Sequence, residues 1–152
     1  MGIFKLFKKK EPFKDEFFGS LLFLEFKSNP ENNYFEGAGY FEPIKSDIEY
    51  FIDGDESGPT DKQKEFYKTI QEEYSKITET IQPHIENEFR NWKDDFTIKN
   101  FIDEFTLVSM KIPREFGSET EWEMGFETKH DENHLITAYL KGYEVQSIGF
   151  DG

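Results

Sequence analysis

Nine apolar residues spaced three or four positions apart constrain this chain more than any other feature. Phe66, Ile70, Tyr74, Ile77, Ile81, Ile85, Phe89, Trp92 and Phe96 form one stripe along a helix. A stripe of this kind must be covered by a second layer to leave water. Thr60 followed by Gln63 has the pattern of a capping box, which predicts the helix start. Pro83 lies inside the stripe. It removes one backbone donor, and its ring would strike the carbonyl of Glu79. The spacing therefore predicts a kink or a break near Gln82, with a second helix running to about Lys93.

On both sides of the stripe the apolar period falls to two. Gly19 to Lys27 reads as a strand, with Leu22, Leu24 and Phe26 on one face and Leu21 and Phe23 on the other. After the turn residues Ser28 to Asn33, Tyr34 to Phe41 reads as the returning strand. Gly37 and Gly39 weaken it and mark a bulge or a close approach by another segment. Ile48 to Asp53 is a third strand, with Ile48, Tyr50 and Ile52 facing one way. Beyond the stripe, Thr97 caps a short helix that carries Ile98, Phe101, Ile102 and Phe105. Strands follow at Thr106 to Pro113, around Trp122 to Phe126, at Leu135 to Leu140 and at Tyr143 to Phe150, the last two joined at Lys141-Gly142. The expectation is an α+β fold in the order β-β-β-α-α-α-β-β-β-β. Its core would be an antiparallel sheet of about six to seven strands with two or three helices on one face. No internal repeat is present, so residues 15–152 read as a single α+β domain after a basic N-terminal segment, residues 1–14.

Composition says what fills such a core. The chain has 18 Phe and 7 Tyr but only two Ala and two Val. Phe, Ile and Tyr must build the interior, and aromatics bury much area per residue. Thirty-two acidic residues against 18 basic ones give a net charge of −14. This excludes a general nucleic-acid binder, which needs a basic face. The absence of Cys excludes disulfides, thiol nucleophiles and thiolate metal sites. No run approaches the roughly 20 apolar residues of a membrane span. Met1 to Lys10 lacks a signal-peptide core and cleavage site, and Leu6 breaks a myristoylation pattern after Gly2, so the expected location is cytoplasmic.

The charge is not uniform. Residues 1–14 carry a net of +4 and the remaining 138 carry −18. The basic, aromatic tip could touch anionic lipid headgroups through Phe4, Phe7, Lys8, Lys9 and Lys10. The alternative is a packed or frayed terminus whose lysines offset the acidic body.

Motifs that would carry chemistry are incomplete. Asp53, Asp55 and Ser57, followed by Gly58, match the first half of a calcium loop, but Lys64 stands where a bidentate Glu belongs. The simpler reading is a turn whose Asp and Ser cap backbone N–H groups. His130-Asp-Glu-Asn-His134 has the outer spacing of a zinc-protease helix, but Asp131 occupies the base position and the residues are turn formers. A polar hairpin turn is the better reading. His84 has no nucleophile motif near it. Trp92 continues the stripe and Trp122 alternates with Met124, so both are expected in the core. No catalytic residue and no cofactor is expected.

In order, the elements resemble a group of small bacterial domains of unknown function. The carrying features are Phe18-Gly19-Ser20-Leu21, the Thr60 to Trp92 helical region, Thr97 to Ile112, and a terminal hairpin, Trp122 to Gly152, that ends in Asp-Gly. Some domains of this kind resemble immunity proteins of bacterial toxin systems, which implies an interaction role and no catalytic residue. The basic start, Met1 to Lys14, is not required by that pattern. The expected function is thus a non-catalytic protein-binding module that offers an acidic surface to a basic protein partner. Candidate contacts are Glu86, Glu88, Asp94 and Asp95 near the second helix, and Glu119, Glu121 and Glu123 near Trp122. The alternatives are a small enzyme of unknown reaction and a membrane-surface adaptor acting through the basic tip.

Overall fold

A computed structural model describes residues 11–152. Its eight strands form one sheet in which every strand lies beside its neighbours in sequence. The strands are β1 (Phe13–Asp15), β2 (Gly19–Leu24), β3 (Tyr34–Phe41), β4 (Ser46–Asp53), β5 (Phe105–Ile112), β6 (Glu121–Thr128), β7 (Asp131–Lys141) and β8 (Glu144–Asp151). Three helices, α1 (Asp61–Glu72), α2 (Tyr74–Phe89) and the single turn α3 (Phe101–Glu104), lie between β4 and β5.

The expected α+β class holds, but the sheet differs from expectation in two ways. It has an additional strand, because Phe13 and Lys14 pair with Leu21 and Ser20 at the sheet edge. It is also mixed. The halves β1–β4 and β5–β8 are each antiparallel, and they meet at a parallel seam where Tyr50 and Ile52 of β4 face Met110 and Ile112 of β5. The helical crossover explains the seam: it returns the chain to the starting end of β4 before β5 begins.

The helices cover one face of this sheet. Phe66 of α1 meets Trp122 at 5.1 Å between ring centroids. Tyr74 and Phe89 of α2 meet Phe41 at 5.0 Å and Phe150 at 5.4 Å. Phe101 of α3 meets Phe126 at 5.4 Å. Alternation places Ile48, Tyr50, Ile52, Leu107, Met124, Ile136 and Ala138 in this same core. The core is built from Phe, Ile and Tyr, as the composition requires.

The capping box forms as the sequence predicts: Thr60 Oγ1 accepts from Gln63 N–H at 3.2 Å, and Gln63 Oε1 accepts from Thr60 N–H at 3.0 Å. The break between helices does not fall at Gln82. It falls at Glu73, nine residues before it, and Pro83 lies within an unbroken α2. Pro83 and Glu79 are both exposed, so the carbonyl freed by the proline faces water, where it can be hydrated. Helix α2 ends at Phe89 and not at Lys93, which leaves Trp92 beyond it and 52% exposed. Trp92 is therefore a surface residue against Phe150, not a core one, whereas Trp122 is buried as expected. The helix expected from Thr97 shrinks to α3, capped by Asn100 Oδ1, because Phe105 already belongs to β5. Gly37 and Gly39 mark a close approach: a Cβ on Gly39 would lie 2.5 Å from the Tyr50 hydroxyl. The Tyr50 ring occupies that space, and its hydroxyl donates to Phe18 O at 2.6 Å.

Candidate functional site

The second face of the sheet has no layer over it among the described residues. Its side chains alternate with those of the core, so their identity is fixed by the strands. β2 places Leu22 there, opposite Glu36 of β3. β3 and β4 place Glu36 opposite Phe51, Ala38 opposite Glu49, and Tyr40 opposite Asp47. β6 and β7 place Glu123 opposite Tyr139 and Glu121 opposite Lys141. Glu127 extends the row along β6. Among the described residues, Lys111 and Lys141 are the strand cations on this face, and each is committed. Lys111 Nζ stands 3.8 Å from Asp53 Oδ2, and Lys141 Nζ stands 3.6 Å from Glu119 Oε1. Glu36, Asp47, Glu49, Glu121, Glu123 and Glu127 have no ion-pair partner among the described residues. The face therefore combines unneutralised carboxylates with exposed apolar groups, Leu22 at 46% and Tyr40 at 54% exposure.

The seven acidic residues singled out from the sequence fall into two places. Glu121 and Glu123 belong to the uncovered face, with Glu119 on the loop before β6. Glu86, Glu88, Asp94 and Asp95 lie in or just after α2, in the helical layer. Glu86 is committed to the fold: its Oε2 accepts from Ile98 N–H at 2.8 Å, and its Oε1 is 3.8 Å from Arg90. The sequence reading missed Glu36, Asp47, Glu49 and Glu127. The signal for them was present, since Asp47 and Glu49 alternate with Ile48, Tyr50 and Ile52.

The residues of the half calcium loop sit where β4 leaves the sheet. Burial pushes the Asp53 carboxyl up, and Lys111 and Arg114 pull it the other way. Asp55 accepts from both the hydroxyl and the N–H of Ser57, which holds its pKa below the ordinary value. Arg114 stands 3.5 Å from it. This is the Asp-Ser turn of the simpler reading, and the protein's own cations face both carboxylates. Among the described residues no group of three or more His, Asp and Glu is placed to hold a metal ion.

His130 and His134 do not converge. The turn occupies Lys129 and His130, and β7 begins at Asp131, so His134 lies in a strand. His134 Nδ1 pairs with Asp131 Oδ2 at 2.8 Å, and this bond comes first among the causes that hold Asp131 low. His130 Nε2 pairs with Glu104 Oε1 at 2.8 Å. Glu104 is only 8% exposed, and its Oε2 also accepts from Lys99 N–H at 2.8 Å and Asn100 N–H at 2.7 Å. Burial raises the Glu104 pKa, but these bonds outweigh it and hold it below the ordinary value. Neither imidazole bonds a hydroxyl among the described residues. The Glu104–His130 pair fastens the loop before α3 to the β6–β7 turn. An open polar cleft of about 580 Å³ beside it is lined by Asp103, Glu104, Glu127, Asp131 and His134 among others.

Phe4, Phe7, Lys8, Lys9 and Lys10, the candidates for membrane contact, lie outside the described residues. No helix among the described residues is long and apolar enough to cross a membrane.

Fold and site together define an α+β protein with a single mixed sheet, helical on one face and acidic on the other. No family model, no curated protein and no solved structure matches the chain.

Proposed function

We propose that this protein is a non-catalytic binding module whose uncovered sheet face docks a basic protein. The observation that supports this is the separation of roles between the two faces. One face carries the packed core, and the other presents carboxylates that have no ion-pair partner among the described residues, beside exposed Leu22, Tyr40 and Tyr139. Apolar groups there supply buried area on docking, and the carboxylates supply attraction and partner choice. A field of this sign accelerates encounter with a cationic partner and loses strength with salt. The immunity-like resemblance belongs to this reading, because a toxin that acts on nucleic acid needs a basic face of its own.

The test uses a fluorescent lysine- and arginine-rich peptide as a defined probe. Glu36→Lys, Glu49→Lys and Glu123→Lys combined should weaken its binding at low salt by about tenfold or more. The same number of reversals at Glu88, Asp94 and Asp95 should change it far less. Equal loss from both sets would show only a response to net charge and would overturn the assignment to the sheet face.

A further inference from the structure

Among the described residues, the sheet ends on one side in an eight-residue strand with no neighbour beyond it. β8 pairs only with β7, and no backbone hydrogen bond among the described residues reaches its outer edge. An edge strand displays a row of free N–H and C=O groups, and folds commonly protect it with Lys, Pro or a bulge. β8 contains neither Lys nor Pro. Its one irregularity, where the register shifts between Tyr139 and Leu140, leaves residues 147–151 in regular register with residues 135–139. The opposite edge, β1, is three residues long and carries Lys14.

Each side of this edge carries an exposed aromatic ring. On the helical face, Trp92 packs against Phe150 at 5.1 Å between ring centroids and keeps about half of its surface in water. On the uncovered face, the Tyr139 ring lies over Gly149, where a Cβ would stand 3.0 Å from its Cε2. Gly149 and Phe150 are consecutive, so their neighbours on an incoming strand would be consecutive too and would point to opposite faces. One side chain would meet Tyr139 and the next Trp92. Ile148 and Phe150 are only half-buried, whereas Ala138 and Ile136 opposite them on β7 are fully buried. A further strand would complete their cover. Charge selects which strand. The only charges on β8 are Glu144 and Asp151, both exposed and without an ion-pair partner among the described residues. Lys141 stands opposite Glu144 but pairs with Glu119. A second copy would bring another net −14 to the edge, and a strand flanked by cations would be attracted to it.

We infer that β8 receives an extended, cation-flanked segment of a partner protein as a further strand, with consecutive side chains held by Trp92 and Tyr139. This edge is a separate surface from the acidic face, and either can fail without the other. The probe is a short peptide with lysines at both ends and alternating valine and threonine between them. Its control is the same peptide N-methylated at every central nitrogen, which keeps the charges and side chains but cannot donate to a strand. The chain has two tryptophans and Trp122 is buried, so a change of emission reports Trp92. The peptide should shift that emission to the blue and slow amide exchange in residues 147–151. N-methylation should weaken binding by about tenfold or more. Trp92→Ala should weaken it by about the same factor. Ser147→Lys, at an exposed position, should do likewise with an unchanged thermal midpoint. Equal binding of peptide and control, with shifts at Glu36 and Glu49 but none in β8, overturns the edge and leaves the acidic face standing. Edge binding of the peptide, with no response of the acidic face to the lysine- and arginine-rich peptide, supports the edge and overturns the face. A dimer in sedimentation that already protects the β8 amides assigns the edge to a second copy and overturns the partner strand. Silence from every peptide overturns both readings.

Discussion

Tyr74 shows how tightly a core of large aromatics must be packed. It is buried against Phe41, and its hydroxyl has no hydrogen-bond partner among the described residues. Burial alone raises its pKa. A buried hydroxyl without a partner loses its solvation and gains little in return. Tyr74→Phe should therefore raise stability, by about 1 kcal/mol, as a higher urea midpoint at unchanged slope. Glu104 is the opposite case. It is buried but fully engaged by Lys99, Asn100 and His130. Its pKa is depressed in the fold, so its contribution is present above the ordinary glutamate value of 4.5 and is lost as pH falls through the lower folded value. Glu104→Gln should flatten the loss of stability below that pH, followed by thermal midpoints across an acid series. An unchanged acid slope would mean that the carboxylate charge contributes nothing there. Glu104 was not legible in advance, because its partner His130 is 26 positions away and no local pattern joins them. Trp92 was misread for a related reason: periodicity continues past the point where the helix stops.

At the scale of elements, periodicity was a good guide to type and a poor one to ends. The inward sets of β4 and β6 and the capping box at Thr60 follow from local patterns and appear where expected. The helical break does not. A proline identifies a lost hydrogen bond, but whether that loss bends the helix depends on which side of it meets water. Pro83 is on the wet side. Pro83→Ala should then restore one backbone bond without disturbing the packing of Ile81 and Ile85. The expected gain is about 1–3 kcal/mol in a denaturant titration. A loss of stability would show instead that the proline sets a bend needed by the core. Strand β1 was missed because three residues, FKD, are too short to display a period. Phe13 earns its place only through the fold, by packing on Phe35 at 5.1 Å.

At the scale of the whole molecule, the sequence read one acidic body, and the structure divides it by face. Glu86, Glu88, Asp94 and Asp95 go to the helical layer, where Glu86 serves the fold itself. Glu36, Asp47, Glu49, Glu121, Glu123 and Glu127 go to the uncovered sheet. Strand alternation makes each half of this face readable in sequence. Its continuity is not readable, because it depends on the parallel seam between β4 and β5, which joins residues more than 50 positions apart. The binding role of that face is the central claim, and resonance mapping tests it most directly. Isotope-labelled protein titrated with the lysine- and arginine-rich peptide at low salt should show shifts at Glu36, Glu49, Glu123 and Tyr139 that fade at high salt. Shifts confined to α1 and α2, or none on the sheet face at any salt, would contradict it.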